Sequence, residues 1–173
     1  MNAKIQAGAP MPEFDLPLVG GGSTHVGGAR DRWQLVIVYR GKHCPLCKKY
    51  LAKLETLVPD FKAANADVVA LSGDPLEKAE ADKKDMGITL PVAYGLSTAQ
   101  MKTLGLYVSN PRSDAETDRP FAEPGLFVVN PQGNVQIVDI SNAPFARPDL
   151  DAILRGVKLI QEKNYPIRGT ATV

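Results

Sequence analysis

The feature that most constrains this chain is a junction. A continuous apolar, β-branched run, Leu35–Tyr39 (LVIVY), is followed by a short loop and then by Cys44-Pro45-Leu46-Cys47. Such a run reads as a strand buried on both faces. Pro45 suits the first turn of a helix, where its missing N–H costs nothing. From there Cys47, Leu51, Leu54, Leu57, Val58 and Phe61 recur at helical spacing, with Lys48, Lys49, Lys53, Glu55 and Lys62 on the other faces. That is an amphipathic helix, and Pro59 is expected to kink it or end it early. A buried strand running through a tight loop into a helix is half of a parallel crossover, which points to an α/β sheet.

The remainder fits that class. Glu13–Val19 reads as a short strand, and Asp67–Ser72 as a second buried one. Gly73-Asp74-Pro75 opens a charged helix to about Met86, with Gly87 as its cap. Thr89–Tyr94 holds a short strand near Pro91, and Thr98–Leu104 is a short helix. Tyr107–Pro124 is polar and reads as a surface excursion. Leu126–Val129 and Val135–Ile140 flank Asn130-Pro131-Gln132-Gly133, a turn sequence, and so form a hairpin. Pro148 begins a last helix to about Lys163, with Leu150, Ile153, Leu154, Val157 and Ile160 on one face, and an extended tail runs from Asn164. No internal repeat is visible. The expected organisation is one domain over 1–173, with 1–33 as an N-terminal extension and 164–173 as a tail.

The two cysteines are the only ones in the chain. A disulfide framework needs more of them, and so small a loop constrains the unfolded chain very little. Their value is chemical. Residues three apart on a helix share a face and lie within disulfide reach. A helix N-terminus offers unpaired N–H groups and partial positive charge, both of which favour a thiolate. Such surroundings lower a thiol from about 8.5 to roughly 3.5–7.5. Arg40, Lys42, Lys48 and Lys49 are expected to add to that field. Cys44 is the expected nucleophile, at the outer end of the helix. Cys47, one turn in and more buried, is the expected resolving thiol. Attack on a disulfide or a peroxide leaves a mixed disulfide or a sulfenic acid on Cys44, and Cys47 then closes the intramolecular disulfide. His43 reads as an acid/base or pKa-tuning group, or equally as an exposed loop histidine. His25 belongs to a loop.

The bulk composition excludes other classes. Net charge is +1 with 23% charged residues, so no electrostatic case exists for nucleic acid or an anionic membrane surface. No run reaches the ~18 apolar residues of a membrane span. The first residues lack the apolar core of a signal peptide, so a cytoplasmic location is expected. A structural zinc site wants four ligands, and only His25 and His43 remain beside the cysteines. Neither a metal nor another cofactor is expected.

Three segments then carry a resemblance. LVIVYRGKHCPLCKKYLAKL resembles the YRGxxCPxCxxxL segment of the peroxiredoxin-like branch of the alkyl hydroperoxide reductase/thiol-specific antioxidant family. AGAPMPEFDLP resembles that family's opening, and EPGLFVVNPQGNV its strand–turn–strand; YPIRGTA is similar to its C-terminal ends. The resemblance implies a thioredoxin-like three-layer α/β/α sandwich with a mixed central sheet. It also implies an antioxidant thiol oxidoreductase that reduces peroxides and is reset by a thioredoxin- or glutathione-type reductant, with homodimerisation through a sheet face or the Thr98–Leu104 helix in keeping. Two departures stand out. Family members carry Pro-x-x-x-Thr-x-x-Cys; here the Thr position is Gly41 and the Pro position Ile37. The usual Arg before the later strand is replaced by Pro124, with Glu123 before it, and Arg40 is the candidate to stand in. Pro124 resembles the cis-proline that faces the CxxC in thioredoxins. That feature favours a second reading, protein thiol–disulfide exchange. A third is a soft-metal (copper) carrier using both thiolates, with Met86 or Met101 as an added ligand. A fourth is a redox-inert interaction module.

Overall fold

The computed structural model describes residues 3–173. Chain order is β1 (Phe14–Pro17), β2 (Ser23–Val26), β3 (Trp33–Val38), α1 (Pro45–Ala63), β4 (Ala66–Leu71), α2 (Leu76–Met86), β5 (Val92–Ala93), α3 (Thr98–Thr103), β6 (Val108–Ser109), β7 (Phe121–Ala122), β8 (Gly125–Val129), β9 (Val135–Ile140) and α4 (Leu150–Lys163). The central sheet has the order β5-β4-β3-β8-β9. Its middle strand, β3, runs parallel to β4 and antiparallel to β8. The sheet is therefore mixed, in line with the sandwich that the resemblance implies.

The strand period sorts the core into two layers. Leu35 and Ile37 face one way, into a cluster with Leu51, Leu54 and Phe61 of α1 and Leu150, Leu154 and Val157 of α4. Val36 and Val38 face the other way, with Met101 and Leu104 at α3 and with Leu16 and Val26 of the N-terminal hairpin. Alternate residues of one strand thus anchor opposite layers. Phe61 is fully buried, and truncation there is expected to cost roughly 3–5 kcal/mol.

Several expectations about local structure change. Helix α1 does not break at Pro59; the proline sits inside it and the helix runs to Ala63. Within residues 3–33, β1 and β2 pair and bury Leu16 and Val26. The short strand expected within Thr89–Tyr94 is there, at Val92–Ala93 beside Pro91, with Glu55 of α1 accepting the Thr89 and Leu90 N–H groups just before it. Segment 107–124 is not a simple surface excursion: β6 pairs with β7, and Phe121, Ala122 and Glu123 are buried. Gly87 caps α2 in the left-handed conformation, as expected.

Candidate active site

Strand β3 delivers the chain through Tyr39–His43 to the N-terminus of α1. Cys44 is the N-cap, with extended backbone angles, and its Sγ accepts the Cys47 N–H at 3.2 Å. Cys44 and Cys47 form a disulfide, with their Cα atoms 5.3 Å apart. The spacing argument from sequence holds. The expected difference in exposure does not: both cysteines are only 1% exposed.

Both belong to the core cluster between the sheet and α1. Segment 107–124 folds back against the loop before Cys44. The His43 ring meets the Phe121 ring edge-on, at 4.5 Å between centroids. Arg40 lies 4.7 Å over the same ring, with its Nε 3.3 Å from Glu123 Oε2 and its Nη2 3.8 Å from Glu116 Oε1. Glu123 is 4% exposed and accepts the Ser109 hydroxyl at 2.7 Å. Arg40, His43 and Glu123 are thus brought together around the loop that leads into Cys44. The charge on Arg40 is balanced by two carboxylates instead of being aimed at sulfur. Burial, followed by the field of Arg40, lowers the His43 pKa.

Of the lysines expected to polarise the thiols, Lys48 is engaged elsewhere. Lys48 pairs with the buried Asp82 at 3.3 Å, and Asp82 has its pKa raised by burial. Lys42 contributes its backbone N–H, which Asp74 Oδ2 accepts at 2.7 Å. His25 is not in a loop but in β2, between Asp15 at 2.9 Å and Glu13 at 3.2 Å. Met101 sits in the layer opposite the cysteines, so it is no companion ligand for them.

Pro124 also differs from expectation. Among the described residues no peptide bond is cis. Pro124 is held trans in the sheet frame between β7 and β8, where its carbonyl accepts the Ser141 N–H at 3.0 Å. The parallel with the thioredoxin turn therefore fails in geometry.

The absence of the family's Thr has a steric explanation. Gly41 adopts φ +128°, and a Cβ there would lie 2.7 Å from Asp74 Oδ2 and 2.8 Å from Oδ1. With the Asp74 carboxylate on the following backbone N–H, no branched residue fits.

One functional group was missed entirely by sequence reasoning. Arg147, in the segment before α4, donates from Nη2 to Cys47 Sγ at 2.8 Å and from Nη1 to the Pro144 carbonyl at 2.7 Å. Its guanidinium lies 4.9 Å over the Tyr50 ring. No motif around Arg147 marks it; only the fold carries it a hundred residues back to the CxxC.

Comparison with known proteins agrees with this architecture. The AhpC/TSA family model matches residues 7–138. A Mycobacterium tuberculosis protein provisionally named a peroxiredoxin is 28% identical over 106 residues, 61% of this chain and 68% of its own length. A thioredoxin peroxidase of Trypanosoma brucei rhodesiense is 23% identical over 163 residues, covering 88% of this chain and 77% of that protein. Among solved structures, Mycobacterium tuberculosis AhpC superposes with a TM-score of 0.77 at 14% identity, over 95% of this chain and 97% of that one. A peroxiredoxin-like protein from Aquifex aeolicus gives 0.76 at 19% identity, over 90% and 88%; these two show the shared fold. With the family model spanning most of the chain and a CxxC pair bonded at the head of α1, the chain belongs to the AhpC/TSA family and is a thiol oxidoreductase of the peroxide-reducing kind.

Proposed function

We propose that this chain reduces peroxides at Cys44 and resolves the product with Cys47, and that a thioredoxin-type dithiol returns it to the reduced state. The observation that carries the reading is the Cys44–Cys47 disulfide formed across the first turn of α1, with Cys44 Sγ accepting a helix N–H. In the first step the Cys44 thiolate attacks one peroxide oxygen and the O–O bond breaks. The alkoxide or hydroxide leaves and takes a proton, giving an alcohol or water and a sulfenic acid on Cys44. Next the Cys47 thiolate attacks that sulfur. The S–O bond breaks and hydroxide leaves as water after protonation, which closes the disulfide. An external thiolate then opens the disulfide through a mixed disulfide, and a second thiolate releases it. Arg40, His43 and Glu123 line the Cys44 side and are the proposed positioning groups there. A cytoplasmic setting, where thiol reductants hold disulfides open, suits the cycle.

The test is peroxide consumption by the prereduced full chain. One equivalent of hydrogen peroxide or cumene hydroperoxide should disappear per chain, with loss of both free thiols. Adding a thioredoxin–thioredoxin reductase couple should make the reaction catalytic. A fully reduced chain that consumes no peroxide while reducing insulin disulfides would replace this reading with protein disulfide exchange.

A further inference from the structure

We propose that Arg147 is a catalytic residue for the Cys47 sulfur, holding it as a thiolate when it attacks the Cys44 sulfenic acid and when it leaves as the disulfide is reopened. The proposal rests on the function proposed above and assigns the division of labour within that site.

The argument begins with what surrounds the guanidinium. Its partners are a sulfur, a backbone carbonyl and an aromatic face. Among the described residues no carboxylate lies within ion-pair distance of it. Its Nε is buried with no hydrogen-bond partner. A cation in such a place has lost water without gaining a counter-ion, which is costly unless an anion arrives. Burial, and then the positive field of Arg40, pull the Arg147 pKa down to about 10, with Tyr50 and Glu123 acting the other way. The group still carries its proton at neutral pH.

In the disulfide form, the atom 2.8 Å from Nη2 is a neutral sulfur. Reduction makes the same atom a thiolate at ion-pair distance, supplying the missing counter-ion. The arginine therefore stabilises the reduced state over the oxidised one, and does so at Cys47. Cys44 has a different partner, a helix N–H at 3.2 Å, while the nearby Arg40 is shared by Glu116 and Glu123.

This asymmetry bears on two steps. In resolution, the attacking sulfur must be ionised, and Arg147 keeps it so. In reopening, an external thiolate bonds to Cys44 Sγ, the S–S bond breaks, and its electron pair leaves on Cys47. A leaving thiol of lower pKa departs faster. The external thiol is thereby directed to Cys44, the sulfur whose departing partner is stabilised.

The test is titration of single thiols in the full-length chain by thiolate absorbance and pH-dependent alkylation. In Cys44→Ser, Cys47 should titrate below the ~8.5 of a free thiol and below Cys44 measured in Cys47→Ser. Adding Arg147→Gln should raise the Cys47 value by about one unit, a tenfold loss of thiolate at a given pH below it, while Arg147→Lys should recover most of the loss. In the two-cysteine chain, at a pH above both Cys47 values, Arg147→Gln should shift the equilibrium with glutathione about tenfold toward the disulfide, a potential about 30 mV more negative, and below both values the shift should vanish. The Cys44→Ser measurement needs no arginine variant, so misfolding of Arg147→Gln does not shield the idea. A Cys47 that titrates at or above ~8.5, or a folded Arg147→Gln that moves Cys44 and not Cys47, overturns the proposal. Peroxide turnover with no such shift overturns the role of Arg147 alone. The shift without any peroxide turnover supports that role and overturns the peroxidase reading instead.

Discussion

The two arginines beside the disulfide do opposite things. Arg40 precedes Cys44 by four residues, and its charge is taken up by Glu116 and Glu123. Arg147 comes from the far side of the fold, reaches Cys47 Sγ, and among the described residues has no carboxylate partner. Proximity in sequence to a cysteine thus says little about which charge that cysteine feels. What counts is whether the cation is already paired. A paired arginine shapes the wall of a site, whereas an unpaired one waits for an anion.

The comparison breaks most sharply at the cysteines themselves. Cys44→Ser should abolish peroxide consumption altogether. Cys47→Ser should keep a single stoichiometric oxidation and lose turnover with a thioredoxin couple. A sulfenic-acid probe should label Cys47→Ser after peroxide and leave Cys44→Ser unlabelled. Labelling of Cys44→Ser alone would exchange the two roles and put the arginine on the attacking sulfur.

On the Arg40 side, Glu123→Gln removes one partner of a largely buried ion pair and leaves Arg40 with Glu116. Breaking such a pair typically costs about 3 kcal/mol or more. Urea denaturation should register that loss as a lower midpoint at an unchanged slope. A midpoint within error of the wild type would mean that Glu123 contributes nothing net, and that Arg40 is free to serve a thiolate after all.

Gly41→Thr asks whether the family's hydroxyl can simply be restored. The backbone there has φ +128° and the new Cβ would meet the Asp74 carboxylate. Strain of this kind costs roughly 1–3 kcal/mol, and it falls on the loop that positions Cys44. The variant should be less stable and slower toward peroxide, as read by chemical denaturation and single-turnover rates. Pairing it with Asp74→Gly should relieve part of the stability loss. A Gly41→Thr chain that is faster than wild type would show that the loop adapts at no cost.

These outcomes also mark where sequence reasoning reached its limit. The β3–loop–α1 junction was legible, because buried runs and helical stripes are local patterns that report their own geometry. The α2 cap at Gly87 and the β8–β9 hairpin were legible for the same reason. Glu123 and His43 were marked by their neighbours in the chain, but their partners Ser109 and Phe121 lie in a segment whose polar composition resembles a solvated loop. Phe121 and Ala122 are too short a run to announce a strand. Arg147 could not be found at all, since it stands in Ala143–Pro148 with no periodicity or motif, and its meaning exists only once α4 packs on α1.

The smallest effects separate the two histidines. His25 lies on the surface between Asp15 and Glu13, and the Asp15 hydrogen bond leads the causes that raise its pKa above 6.5. Its stabilising contribution is fully present below the unfolded value of about 6.5 and fades as pH rises through the higher folded value. His43 has the reverse sign. Burial lowers its pKa, so the fold prefers the neutral ring and loses stability as pH falls from about 6.5 toward the folded value. The two contributions act in adjacent windows: on acidification stability should first rise as His25 takes up its proton above about 6.5, then fall below that value as the unfolded chain protonates the histidine that the fold keeps neutral. Ring resonances in a heteronuclear NMR titration resolve them: His25 should titrate above 6.5 and His43 below. Asp15→Asn should bring His25 down toward 6.5 and leave His43 in place. Glu123→Gln should push His43 lower still, because a less compensated Arg40 repels its proton more strongly. Coincident titration curves for the two rings would mean that the Arg40–Phe121 wall is open to water, and the contrast between a paired and an unpaired side of the disulfide would lose its physical basis.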